Sequence, residues 1–243
     1  MLQFSIFTDK GGREINEDTI KVSEKEDRYC FVLCDGLGGH GMGDAASLLV
    51  AEVIIEEFEK SESNEGLLET VFMKAQSALL KEQDRRQSKC KMKTTAAVLL
   101  LDSKYARIGH VGDSRVYVFK RNKIWKRTLD HSVPQMLATS HQIKESEIRR
   151  HPDRNTLMKV MGIEWEKPMF ELQKPIKLKK CDEFLICSDG FWECVEEAKM
   201  EQTVTETDSS DAWMKKMVEE ACSEQFKKKS EMDNYSAIAV ITK

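Results

Sequence analysis

Seven short runs rich in β-branched and aromatic residues, at 4–8, 29–34, 95–101, 105–111, 115–120, 184–187 and 235–242, set the first limit on the fold. They read as strands. The last third of the chain supplies them as the first does, so the β layer draws on the whole sequence. Four prolines and twelve glycines leave no Pro/Gly/Ser linker, and no repeat of fixed period is visible. One domain spanning 1–243 is the simplest count.

Two helical patterns separate the second run from the third. Ala46, Leu49, Val50, Val53, Ile54 and Phe58 share one face, and so do Leu68, Val71, Phe72, Ala75 and Leu79. The polar stretch from Ser61 to Gly66 joins them, which suits an antiparallel pair. A third pattern, with Met217, Val218, Ala221 and Cys222, precedes the final run. Strands grouped together with helices between the groups predict an α+β fold of antiparallel sheets covered by helices.

Composition excludes several function classes. The 38 basic and 42 acidic residues give a net charge of −4, which offers no reason to expect a nucleic-acid partner. No stretch of about 18 apolar residues is present to cross a membrane. The first residues lack a basic start, an apolar middle and a cleavage site, so a cytoplasmic protein is expected. The seven cysteines, at 30, 34, 90, 181, 187, 194 and 222, show no Cys-x-x-Cys pair and read as buried reduced thiols. Lys227, Lys228 and Lys229 form a one-sign triplet that reads as a solvated helix end.

Chemistry begins where apolar runs meet acids: Leu33-Cys34-Asp35-Gly36, Val111-Gly112-Asp113, Cys187-Ser188-Asp189-Gly190, and Asp233-Asn234 before Tyr235. Taken singly, each reads as a turn, in which Asp accepts backbone N–H bonds and a following Gly strengthens the reading. Taken together at one edge, they would repel one another. Relief then requires protons or hard cations such as Mg²⁺ or Mn²⁺, and two such ions about 3.5–4 Å apart activate a water for in-line attack on phosphorus. Arg13, in Gly11-Gly12-Arg13-Glu14-Ile15-Asn16-Glu17-Asp18, adds a planar fork that matches a phosphate.

In chain order the sequence shows Arg13 to Asp18, Asp35-Gly36-Leu37-Gly38-Gly39-His40, Thr94-Thr95-Ala96, Val111-Gly112-Asp113-Ser114-Arg115, Leu129-Asp130-His131-Ser132, His151-Pro152-Asp153-Arg154-Asn155, Ser188-Asp189-Gly190 and Asp233-Asn234. This succession resembles the metal-dependent protein serine/threonine phosphatases, the type 2C family, in their short bacterial form. The resemblance implies two packed antiparallel sheets flanked by helices on both faces, a four-layer α-β-β-α sandwich. It implies that Asp35 bridges two catalytic ions and that Gly36 gives its carbonyl to the first, with Asp189 and Asp233 completing the second. Glu17 and Asp18 would act through water, while Asp113 with Asp189 would hold a weaker third ion. Arg13 would grip the substrate phosphate and His40 would be the general acid.

Segment 132–155 stands in the place of the family's flap. It departs from the common pattern at Ser140-His141-Gln142, where a Gly-containing turn is usual, and Lys159-Val160 and Lys93 depart likewise. His110, His131, His141 and His151 lack ligand-like spacing and read as structural or surface residues, and Arg115 reads as an ion-pair partner. The expected function is Mg/Mn-dependent hydrolysis of phosphoserine and phosphothreonine on proteins by a monomer opposing a Ser/Thr kinase. Two alternatives are a non-catalytic phosphoprotein-binding module on the same fold and a phosphatase tuned to a stress-regulator partner.

Overall fold

The computed structural model describes residues 2–37, 41–89, 91–178, 182–225 and 233–242. In chain order the strands are β1 (Leu2–Asp9), β2 (Asp18–Lys25), β3 (Arg28–Asp35), β4 (Ala96–Leu101), β5 (Tyr105–Val111), β6 (Arg115–Lys120), β7 (Lys123–Arg127), β8 (Glu171–Leu172), β9 (Ile176–Lys177), β10 (Asp182–Cys187) and β11 (Tyr235–Thr242). The helices are α1 (Gly43–Lys60), α2 (Leu67–Arg86), α3 (Val133–Thr139), α4 (Asp189–Cys194), α5 (Glu197–Thr205) and α6 (Ser210–Gln225), with a 3-10 segment at Glu145–Arg150. One sheet has the order β1-β11-β10-β6-β7 and the other β2-β3-β4-β5-β8, with β9 also on β5. All pairings are antiparallel.

Alternation along each central strand explains why the runs are apolar throughout. On β3, Cys30, Val32 and Cys34 face α1 and α2, where Val50, Ile54, Phe58, Phe72 and Leu79 meet them. Phe31 and Leu33 point the other way, into a layer shared with Val116, Val118, Phe184, Ile186, Ile238 and Val240 of the opposite sheet. That sheet's far face, including Tyr117, Leu185, Cys187 and Ala239, packs on Trp192, Trp213 and Met217 from α4 and α6. The central strands are thus buried on both faces, as the α-β-β-α sandwich requires. Each fully buried aliphatic or aromatic side chain contributes about 1.5–3 kcal/mol, whereas exposed ion pairs such as Lys21–Glu52 contribute about 0–1 kcal/mol. The three apolar layers therefore hold the fold.

The seven predicted runs are all strands, and three carry the predicted bounds, β5, β6 and β11. β2, β7, β8 and β9 were not predicted: DTIKVSEK and KIWKR, each at the edge of its sheet, are too rich in charge to read as apolar runs, and β8 and β9 have two residues each. The paired helices α1 and α2 match the predicted faces, and Cys30, Cys34 and Val32 share one layer. Cys90, Cys181 and the Lys227–Lys229 triplet lie outside the described residues.

Antiparallel register sets the working end of the sandwich. Asp18 opens β2 directly opposite Asp35, the last residue of β3. Cys187, the last residue of β10, lies between Arg115 at the start of β6 and Ala237 near the start of β11. Asp9, at the end of β1, is opposite Tyr235. Strand ends from remote parts of the chain thereby share one edge.

Candidate active site

Five aspartates converge there from separate elements. Asp35 feels the charges of Asp18, Asp189, Asp113 and Asp233. Burial first, and then these neighbours, push the Asp35 carboxyl well above the ordinary carboxylate range. Asp113 is raised by burial and by Asp189. Burial raises Asp18 to about 7 and Asp189 to about 6, with repulsion from Asp233 adding to both. Asp18 Oδ1 and Asp113 Oδ1 are buried without a hydrogen-bond partner. An acidic edge with orphaned hard oxygens is a donor set that fits Mg²⁺ or Mn²⁺.

The two Asp-Gly pairs are not turns of the expected kind. Neither Gly36 nor Gly190 has positive φ. What each position lacks is room for a side chain. A Cβ on Gly36 would lie 2.4 Å from the carbonyl carbon and oxygen of Gly43, at the start of α1. One on Gly190 would lie 2.2 Å from the carbonyl oxygen of Asn234. Asp189 is correspondingly the first residue of α4, where a helix N-terminus favours a carboxylate, and its Oδ1 accepts the Gly190 N–H at 2.6 Å. Gly contact, rather than Gly conformation, seats both helix starts on the acidic edge.

Hydroxyls and amides tie the aspartates in place. Asp35 N–H donates to Thr95 Oγ1 at 3.0 Å, and Thr94 Oγ1 donates to the Asp35 carbonyl at 2.7 Å. Ser188 Oγ donates to Asp18 Oδ2 at 2.9 Å and accepts from Ser236 N–H at 3.0 Å. Asn234 Oδ1 accepts from Glu17 N–H at 2.8 Å, while its amide donates to the Lys10 and Ile15 carbonyls. Asn234 thus docks the 10–17 loop beside Asp233. The carbonyl of Glu17 accepts from Gly36 N–H at 3.1 Å and from Ser47 Oγ at 2.6 Å.

Arg13 engages Asp233 with both arms, Nε to Oδ1 at 3.1 Å and Nη2 to Oδ2 at 2.9 Å, while its side chain stays 57% exposed. The predicted phosphate grip therefore rests on a neighbouring carboxylate. His40 lies outside the described residues. Arg115 is a buried ion-pair partner, bidentate to Asp130 at 2.9 and 2.7 Å, with its guanidinium carbon 3.5 Å from the Trp192 ring centroid. His110 and His131 are buried and stacked, and a ligand atom from each lies within 4.8 Å of Glu171, a gathering their sequence spacing does not announce.

One group at the site went unread in the sequence, and Arg154 was read there only as part of a motif. Glu193 sits four residues after Asp189 on α4, and burial, then Asp189, push its carboxyl up to about 7. Arg154, from segment 132–155, donates to it at 2.8 Å. A helix assigned to 189–194 would have put Glu193 on the Asp189 face by its i, i+4 spacing. The segment itself is structured: Ser132 caps α3, and His141 ends it with φ +59. The unusual Ser140-His141-Gln142 stretch thus makes a left-handed turn without glycine.

An α-β-β-α sandwich whose shared sheet edge gathers acidic oxygens around an arginine defines a metal-dependent phosphoester hydrolase. The profile of the family described as protein phosphatase 2C matches residues 11–237, and the chain belongs to that family, whose function is metal-dependent dephosphorylation of serine and threonine. Among curated relatives, it is 28% identical over 203 residues to the serine/threonine phosphatase stp of Listeria innocua, covering 80% of each chain. It is 26% identical over 213 residues to the protein phosphatase PhpP of Streptococcus pneumoniae, covering 84% of this chain and 85% of that one. The crystal structure of serine/threonine phosphatase Stp1 from Staphylococcus aureus superposes with a TM-score of 0.90 at 27% identity, covering 100% of this chain and 96% of that one.

Proposed function

We propose that this chain, as a single domain acting as a monomer in the cytoplasm, removes phosphate from phosphoserine and phosphothreonine of proteins that a Ser/Thr kinase has modified. The observation that carries the site assignment is the convergence of Asp18, Asp35, Asp113, Asp189 and Asp233 at one sheet edge. Asp35, the Gly36 carbonyl, Asp189 and Asp233 would hold two divalent cations, Glu17 and Asp18 would bind through water, and Asp113 with Asp189 would take a weaker third. When bound, the ions supply charge neutralisation and activation of the attacking water.

The chain's own residues supply the rest. Arg13, exposed on the rim, is free to turn from Asp233 to a phosphoryl group and to fix it by two parallel hydrogen bonds. Thr94, Thr95 and Asn234 hold the carboxylate backbone, so that little reorganisation is needed as charge develops. His40 is assigned the proton that the leaving serine or threonine oxygen takes up. Segment 132–155, joined to α4 through Arg154 and Glu193, shapes the protein-substrate surface.

Support for a cytoplasmic site comes from the free thiols of Cys30, Cys34 and Cys187, buried without disulfides. No helix among the described residues is long and apolar enough to cross a membrane. The test is hydrolysis of a small aryl phosphate with Mn²⁺, with and without chelator, by the wild type and by Asp35→Asn. Turnover should vanish in the variant while its far-UV circular dichroism is unchanged; a fully active Asp35→Asn protein ends the assignment.

A further inference from the structure

His110, His131 and Glu171 present three ligand-type atoms within 4.8 Å of one another, and His110 Nδ1 and His131 Nε2 are buried without partners. That is the outline of a two-histidine, one-carboxylate metal site, and the hydrogen bonds rule it out. Gly112 N–H donates to His131 Nδ1 at 3.2 Å, so this ring accepts at Nδ1 and carries its proton on Nε2, where a cation would need a lone pair. His110 bonds the Leu129 carbonyl through Nε2 at 2.8 Å, so Nε2 is its protonated nitrogen and Nδ1 alone is open. The proton on His131 Nε2 faces Glu171 Oε2, 3.5 Å away. The cluster fixes a tautomer rather than a cation.

The fixed tautomer has a consequence at the acidic edge. Gly112 adopts φ +101, and a Cβ there would lie 2.5 Å from Thr95 Cγ2, so the turn is both left-handed and crowded. It is held from two sides. Trp192 Nε1 donates to the Asp113 carbonyl at 3.0 Å, and His131 makes a reciprocal clasp, its own N–H donating to the Gly112 carbonyl at 2.9 Å while Nδ1 receives the Gly112 N–H. Asp113 Oδ1 has no hydrogen-bond partner, so the carboxylate inherits its position from this backbone. His131 is also the root of segment 132–155: its carbonyl accepts from Met158 N–H at 2.8 Å, and Ser132 bridges to Leu157. Both ends of the segment therefore meet at the residue that clasps Gly112.

We propose that His131 is a positioning residue whose Nδ1 locks the Gly112–Asp113 turn to the base of segment 132–155, and so sets the Asp113 carboxylate for the weaker third cation. The inference rests on the metal role proposed above for Asp113. Without the acceptor, a buried Gly112 N–H is left unpaired in a turn that already has positive φ, and the turn relaxes.

Two substitutions separate the clasp from the ring. His131→Asn keeps an oxygen near the Nδ1 position, whereas His131→Gln places its amide near Nε2 and leaves nothing facing Gly112 N–H; both lose the stack on His110. The measurements are calorimetric Mn²⁺ titration of the full chain and hydrogen exchange at the Gly112 amide. His131→Gln should exchange faster at Gly112 and weaken the weakest Mn²⁺ site by about tenfold or more, the usual effect of losing an outer partner of a metal ligand. His131→Asn should stay within about threefold of wild type on both, because the acceptor is retained. Equal behaviour of the two variants overturns the proposal. So does ¹⁵N NMR of the wild type if it finds the His131 proton on Nδ1, a result that needs no variant to fold. Asp113→Asn is the reference: if it leaves the weakest site intact, the metal role of Asp113 fails, while the Gly112 exchange still judges the clasp.

Discussion

Asp18→Asn should stabilise the metal-free protein by an amount that grows from pH 4 to pH 7 and is constant above that. Asp18 is buried, faces Asp35 across the β2–β3 ladder, and has Oδ2 bonded to Ser188 while Oδ1 has no hydrogen-bond partner among the described residues. Burial first, with Asp189 and Asp233 adding, raises its carboxyl from the ordinary 3.8 to about 7. A folded-state pKa above the unfolded one favours the protonated form. The fold therefore keeps this contribution below pH 3.8, loses it progressively as pH rises from 3.8 to about 7, and has lost it fully above that. At about 1.36 kcal/mol per pH unit, that gap corresponds to about 4 kcal/mol at pH 8. Because neighbouring carboxylates share the repulsion, the net gain on removing one charge should be about 2–4 kcal/mol. Asparagine keeps an acceptor for Ser188 and offers its amide toward Asp35. Urea unfolding in chelator at pH 4 and pH 8 reads the difference: near zero at the first and about 2–4 kcal/mol in favour of the variant at the second. In saturating Mn²⁺ the order should reverse, since ions that bind only the folded state stabilise the wild type. A variant that is less stable than wild type at pH 8 without metal, or equally shifted at both pH values, refutes the electrostatic reading of the cluster.

Glu183 tests the same sign away from the site. Burial and then Asp182 raise it to about 7, and its Oε2 is buried without a partner, so Glu183→Gln should leave stability unchanged near pH 4.5 and increase it at pH 8 by up to about 2 kcal/mol, measured by thermal melts. Gly36→Ala forces a methyl to within 2.4 Å of the Gly43 carbonyl; it should cost roughly 1–3 kcal/mol and lower Mn²⁺ affinity by displacing the start of α1, read by urea unfolding and calorimetry. His141→Gly relieves φ +59 at the end of α3 and should stabilise the protein by about 0.5–1 kcal/mol without changing hydrolysis of a small aryl phosphate.

The layers were legible because burial on both faces makes a strand apolar along its whole length, and β3, β4, β10 and β11 are of that kind. β2 and β7 were not, since an edge strand rich in charge carries the same signal as a solvated loop. α4 was hidden by its length of six residues, too short to show a periodic face, and with it went Glu193. Arg115 was legible as an ion-pair partner, though its depth beneath Trp192 was not. His110 and His131 meet through the register of β5 and the path of the chain after β7, which no local spacing encodes.

The Asp-Gly pairs show why the site's chemistry was more legible than its architecture. A carboxylate advertises its chemistry wherever it stands, so Asp35, Asp113, Asp189 and Asp233 could be nominated one by one. Glycine advertises only the absence of a side chain. At Gly112 that absence serves a positive φ, whereas at Gly36 and Gly190 it admits another segment's backbone, Gly43 in one case and Asn234 in the other. Those two contacts bring the starts of α1 and α4 against strand ends of opposite sheets, and they do so beside Asp35 and Asp189, whose charges act on one another. The two sheets meet through an apolar layer that fixes their spacing, and the glycines fix how closely the acidic edge can close over it. Mutual repulsion among the aspartates opposes that closure in the absence of cations. The same close packing that sets these aspartates against one another is therefore what brings their oxygens together at one edge.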